Sequence, residues 1–124
     1  MELNNCALNA IQYAGDDIIC YKGTTLSIYC DIDNNGEKYT IPSDASAVFG
    51  VKKRPEDNTT VINATMTLNT SKNRFELALT PEQTAALAVG RYVHGVLYKE
   101  GDDIFPIVPT QTFHVMPTVP SFEE

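Results

Sequence analysis

The chain has no apolar run approaching the roughly 20 residues that a membrane span needs. Its first ten residues, MELNNCALNA, place no positive segment ahead of an apolar stretch. Neither a spanning helix nor a secretory signal is indicated, so the expected place of synthesis is a cytoplasm. Positive charge is scarce too: 9 Lys and Arg face 16 Asp and Glu, for a net charge of -7. Such a surface repels a phosphate backbone, and the basic cluster VKKR (Val51 to Arg54) is too short for a nucleic-acid footprint. Cysteine is sparse and odd in number: Cys6, Cys20 and Cys30 show no CxxC and no Cys/His ligand spacing. That excludes a full disulfide framework and speaks against zinc. Cys30, in phase with apolar neighbours in LSIYCDI, reads as a small buried hydrophobe, with one disulfide left open. Tryptophan is absent altogether, and the three N-glycosylation sequons at Asn58, Asn63 and Asn69 stand without other signs of secretion.

What is present is alternation. At 124 residues, with 43% hydrophobic and 20% charged positions, the chain suits one soluble domain with a real core. In TTLSIYCDI, Leu26, Ile28, Cys30 and Ile32 share one face while Ser27, Tyr29 and Asp31 share the other, the signature of a half-buried strand. DNNG (Asp33 to Gly36) then turns the chain, because Asn and Gly tolerate positive φ. ASAVFGVKKR follows with Phe49 and Val51 inward, then the turn PEDN. TVINATMTL puts Ile62, Ala64, Met66 and Leu68 in phase, and RFELALT puts Phe75, Leu77 and Leu79 on one face. Short strands punctuated by turns are the pattern of a sandwich or barrel.

The stretch LTPEQTAALAVGRYVHGVLYKEGDD interrupts this grammar. Thr80 is placed to cap a helix, Pro81 to occupy its first position and Gln83 to close a capping box. The turn runs to about Leu87, Gly90 ends it, and Tyr92 opens the next strand. A helical turn, a glycine and an early tyrosine resemble the E–F corner of an immunoglobulin-like sandwich, where the phenol bonds back to nearby backbone. The expected fold is therefore an all-β immunoglobulin-like sandwich of seven to nine antiparallel strands, with one short helical turn near Pro81–Leu87.

The strand launched at the corner is apolar on both sides: Tyr92, His94, Val96 and Tyr98 on one, Val93 and Leu97 on the other. A sheet with one wet face should be polar there, so Val93 and Leu97 are expected to meet another segment or another chain. Pro106 and Pro109 mark an edge or bend in the last strand, where Phe113 and Val115 point inward. The layout is an N-terminal segment over 1–17 that leans towards an extra strand, a sandwich over 18–116 and an extended tail over 117–124.

Two segments resemble a known family. The order strand, TPEQTAALAVGRY, aromatic strand and acidic-glycine turn is similar to a pattern in bacteriophage and prophage tail-associated proteins. SAVFGVKKRPEDNTTVI resembles the strand–turn–strand of the N-terminal domain of phage baseplate upper proteins, and TFHVMPTV its last strand and exit. The chain has His94 where that pattern commonly has an aromatic residue, and Gly95 where an acid often follows. The resemblance spans roughly Ile18 to Val119. It implies an immunoglobulin-like module of a phage particle that docks a longer protein onto a tail or baseplate, or assembles with its own copies. It brings no enzymatic activity and no cofactor.

The chemistry-bearing residues lead the same way. His94 shares a face with Tyr92 and Val96 and reads as a core or interface histidine; His114, between Phe113 and Val115, points outward. No G-x-S-x-G elbow is present and no histidine has an evident base-and-orienter pair. The acidic turns Asp16–Asp17 and Asp102–Asp103 lack EF-hand spacing and read as solvated turn acids. The function expected is a non-enzymatic assembly module of a virion tail, without metal, cofactor, nucleic acid or membrane. Val93, Leu97 and Tyr29 are its candidate contact residues, and Pro81, Leu87, Gly90 and Tyr92 its structural corner. The alternative is a carbohydrate-binding module for host-surface recognition, with Tyr13, Tyr21, Tyr29 and Tyr39 as its aromatic platform.

Overall fold

The computed structural model describes residues 5–10, 13–14, 17–34 and 37–118. Its elements in chain order are β1 (Asn5–Ala10), β2 (Tyr13–Ala14), β3 (Asp17–Tyr21), β4 (Leu26–Asn34) and β5 (Glu37–Lys38). Then come β6 (Ser46–Lys52), β7 (Ile62–Thr65), β8 (Thr67–Asn69), β9 (Arg74–Leu79), α1 (Pro81–Ala85), β10 (Gly90–Glu100) and β11 (Asp103–Met116). One sheet runs β1-β4-β9-β8 with β5 on β4, and the other runs β2-β3-β11-β10-β6-β7. Two packed sheets with this strand order, and a tyrosine corner between β9 and β10, make an immunoglobulin-like sandwich.

The alternation read from the sequence builds the core. Leu26, Ile28, Cys30 and Ile32 of β4 are fully buried and face Phe49 and Val51 of β6 and Phe113 and Val115 of β11, also buried. Each such side chain contributes about 1.5–3 kcal/mol by leaving water. Aromatic rings knit the layers: Phe49 lies 6.3 Å from Phe113, and Phe75 meets Tyr98 edge-on at 6.0 Å.

At the corner, the Thr80 hydroxyl accepts from the Gln83 amide while the Gln83 side chain accepts from the Thr80 amide, the expected capping box. The helix ends at Ala85, although the Leu87 amide still reaches the Thr84 carbonyl and Leu87 is buried. Gly90 takes φ 155°, a conformation that favours glycine. Two residues on, the Tyr92 hydroxyl donates to the Ala88 carbonyl at 2.8 Å.

Four features depart from the sequence reading. First, the ladder is not wholly antiparallel, since β3 runs parallel to β11 with Phe113 opposite Ile18. Second, TVINATMTL is one run shared between sheets: β7 pairs with β6, β8 pairs with β9, and the buried Met66 between them donates its amide to Ala47. Alternation looks the same whichever sheet a strand joins, so the switch left no mark on the pattern. Third, the N-terminal segment, which leans towards an extra strand but reads as set apart from the sandwich over 18–116, supplies β1, a strand of the sandwich that pairs with β4 along its whole length. Fourth, Cys30 is disulfide-bonded, and the free buried thiol is Cys20. A disulfide needs Cβ atoms about 4 Å apart, a relation that spacing along the chain does not show. Residues 119–124 of the tail, Asp16, and Asn35 and Gly36 of the DNNG turn lie outside the described residues.

Candidate functional site

Strand β10 decides where a site can lie. Its odd-numbered outward row is Arg91, Val93, Gly95, Leu97 and Lys99, and β6 runs beside it with Val93 opposite Lys52, Gly95 opposite Gly50 and Leu97 opposite Val48. Two glycines stand side by side on adjacent strands, so neither raises a side chain from that part of the sheet. The result is a groove of about 410 Å³ on the outer face. Its apolar walls are Val48, Val93, Leu97 and Pro106, and Pro55, Thr60, Asn63 and Thr110 enclose it. Leu97 is 52% exposed and Ile104, opposite Lys99 on β11, is 60% exposed, so the apolar surface continues past the groove.

The proline-rich half of β11 borders the groove for a structural reason. Among the described residues, Phe113 to Met116 are the part of β11 that pairs with a second strand, β3, and Pro106 and Pro109 stand outside that ladder, where a missing amide donor is tolerated. The register against β10 also shifts between His94 and Leu97. The wall opposite is the β6–β7 connection, a turn in which the Asp57 amide donates to the Arg54 carbonyl at 3.1 Å. There the Asp57 carboxylate accepts from the Arg54 guanidinium, 3.2 Å away.

The electrostatics of this face differ from those of the chain. The outward positions of β6, β7, β10 and β11 carry no carboxylate, although the protein has 16 acidic residues. Three of the 9 cationic residues stand there instead: Lys52 and Arg91 at one end and Lys99 at the other. Beside them, the Lys53 ammonium sits 5.0 Å from the Tyr92 ring centroid. Carboxylates border the face without standing on it: Glu100 pairs with Asp103 next to Lys99 and Ile104, and Asp57 lies in the β6–β7 turn.

The sequence-named residues divide between the two sheets. Val93 and Leu97 share the groove, whereas Tyr29 lies on the outer face of the other sheet, opposite Glu76. Tyr29 is covered by the Arg74 guanidinium, 4.0 Å from its ring centroid, and Arg74 is held at 2.7 Å by Glu76. Tyr39 donates to a Glu100 oxygen at 2.6 Å, and Tyr98 donates to that same oxygen at 2.8 Å. Burial and this carboxylate push the Tyr39 phenol up to about 12. Tyr29 and Tyr39 are thus engaged separately and form no common platform; the side chain of Tyr13 lies outside the described residues. Asp102 and Asp103 are exposed in the β10–β11 turn.

His94 occupies the core side of β10, 2% exposed, with Phe49 at 5.6 Å and Phe113 at 6.1 Å between ring centroids. Neither of its ring nitrogens has a hydrogen-bond partner. Burial pushes the imidazole down to about 4, against a smaller opposing pull from Asp17. A neutral histidine without a partner has no orienting group and no proton acceptor beside it, so it lacks the parts of a catalytic base.

Sequence reasoning named the apolar pair and missed the Gly50–Gly95 trough and the three cations around it. Two of the cations, Arg91 and Lys99, were legible on one period-2 row with Val93 and Leu97; the place of Lys52 and the trough depend on β6 lying next to β10, a long-range register.

No protein-family model matches the sequence, and no curated protein does. Among solved structures, the chain is similar to part of a metagenome-derived glycoside hydrolase family 9 endoglucanase, with 16% identity and a TM-score of 0.48. That match covers 89% of this chain but only 18% of the endoglucanase, so the chain spans under a fifth of it. A chain from a structure on T cell specificity and activation by the bacterial superantigen toxic shock syndrome toxin-1 matches at 13% identity and a TM-score of 0.46. It is covered in full by 90% of this chain. Murine CRIg matches at 8% identity and a TM-score of 0.43, also covered in full, over 94% of this chain. At these scores the likenesses say nothing about activity or partners.

Proposed function

We propose that the chain is a non-enzymatic structural or assembly module of a phage or prophage tail or baseplate, working through protein–protein contact. The supporting observation is the outer-face groove, which Leu97, exposed, and Val93, half-buried, both line. A contiguous apolar patch of this kind on a soluble domain marks an interaction surface. The phage setting rests on the sequence resemblance alone, which points to other tail or baseplate proteins, or copies of the chain, as partners. On this reading the protein is made in the bacterial host cytoplasm and works in the virion. The disulfide at Cys30 suits a particle that leaves the reducing cytoplasm.

Two measurements test this. The gene's neighbours should encode portal, tape-measure or fibre proteins, and purified particles should contain the chain by mass spectrometry; a metabolic operon and particles without it would overturn the setting. Val93→Asp with Leu97→Lys should abolish incorporation into particles while the isolated variant melts within a few degrees of the parent. A variant that folds and still incorporates normally would remove the groove from the interface.

A further inference from the structure

The distribution of charge on the groove face narrows the chemistry of whatever docks there, given the reading of that face as a docking surface. We propose that the outer face of β6, β10 and β11 takes an acidic segment of a different protein. The segment offers apolar side chains to the trough over Gly50 and Gly95 and carboxylates to Lys52, Arg91 and Lys99.

Three observations converge. The first is segregation: a chain of net charge -7 keeps carboxylates off the outward rows of these strands and places three cations on them. None of Lys52, Arg91 and Lys99 makes an ion pair among the described residues, so their charges are not consumed within the fold. The second is order. Arg91 and Lys99 are eight residues apart on one strand, about 26 Å at strand rise. Val93, Gly95 and Leu97 fill the interval between them. A complementary segment is therefore acidic at both ends and apolar in the middle. The third excludes the simplest self-pairing. Two copies packed with this face on itself about a two-fold near Gly95 would bring the Lys52 and Arg91 end of one against the Lys99 end of the other, and like charges across an interface act against association. The overall negative charge does not override the local pattern, because at physiological salt charges beyond about 8 Å are largely screened.

The test uses the full 124-residue chain, ¹⁵N-labelled, and two synthetic dodecapeptides with the same central Leu and Phe residues. One peptide carries Glu at both ends and the other Lys; each is titrated to millimolar concentration at 0.15 M salt. The Glu-flanked peptide should bind about five-fold tighter or more, as expected for several rim charges acting together. The amide signals of Gly50, Gly95 and Leu97 should shift. Lys52→Glu with Arg91→Glu should reverse the preference, and Leu97→Asp should weaken both peptides about ten-fold, the loss of a central apolar contact.

Equal binding of the two peptides at these amides would overturn the acidic partner and leave the docking surface standing. If neither binds while sedimentation shows self-association that Leu97→Asp abolishes, the occupant is a second copy and the proposal fails alone. No peptide binding and no self-association would overturn the proposal together with the docking reading beneath it.

Discussion

The Tyr92 hydroxyl and the Ala88 carbonyl meet at 2.8 Å, four residues apart, across the turn that carries the chain from one sheet to the other. The ring itself is 4% exposed. Tyr92→Phe keeps the ring and removes the bond to a carbonyl on an exposed residue, a change that costs about 0.5–1.5 kcal/mol. Urea unfolding should show a lower midpoint at an unchanged slope. A midpoint equal to the parent's would mean that water satisfies Ala88 and the corner is held by packing alone.

The helical turn is held from the opposite side by the β3–β4 turn. The Thr84 hydroxyl accepts from the Gly23 amide at 3.0 Å and donates to the Thr24 carbonyl at 2.8 Å. The Lys22 ammonium donates to the carbonyls of Ala85 and Leu87 at 2.9 and 2.6 Å, close to the helix C-terminus where a cation is favoured. Thr84→Val preserves shape but leaves the Gly23 amide without its partner, and should lose roughly 1–3 kcal/mol. Lys22→Ala should lose less, about 0.5–1 kcal/mol, because its end of the clamp is more exposed. Chemical denaturation of the two variants would rank them; a larger loss at Lys22 would show that the helix end, and not the buried hydroxyl, fixes the corner.

The corner was legible because its parts are local: a cap, a proline, a glycine and a tyrosine within thirteen residues, Thr80 to Tyr92. Core faces were legible for the same reason, since Leu26, Ile28 and Cys30 alternate whatever they pair with. The relations that failed to appear are those between distant segments. The parallel pairing of β3 with β11, the crossing of one strand between sheets at Met66, and the meeting of Gly50 with Gly95 all depend on register. So does the guanidinium over Tyr29: its alternation predicts an outward ring, and only the β4–β9 pairing brings Arg74 to cover it.

The state of the cysteines is open to direct measurement. Cys30 is bonded and Cys20 is a free thiol that burial pushes up to about 11. The native protein should therefore react slowly with iodoacetamide at neutral pH, since the thiolate is the reactive form and a buried thiol rarely forms it. In denaturant without reductant, peptide mapping should find label on Cys20 and none on Cys30; reduction should expose Cys30. Label on Cys30 before reduction would remove the disulfide from the fold. Loss of stability on reduction should be on the order of 2–4 kcal/mol.

His94 makes the fold sensitive to acid. The imidazole titrates at about 4 in the folded protein against its ordinary value of 6.5, so the unfolded chain takes up the proton first. Stability is therefore full above about 6.5 and declines as the pH falls towards 4, with a total loss near 3 kcal/mol from this group. The direction follows from surroundings that offer a charged ring nothing: Phe49 and Phe113 on either side, no partner for either nitrogen, and only the Asp17 charge to offset burial. His94→Phe places a third ring in that cluster and removes the titration. Its unfolding free energy at neutral pH should stay within about 3 kcal/mol of the parent, because the phenyl ring is larger than the imidazole and the packed core must accommodate it. Between pH 6.5 and 4 the gap between variant and parent should widen steadily in favour of the variant. Parallel curves would place the acid sensitivity in the carboxylates, and direct NMR titration of the His94 ring would then show an ordinary midpoint.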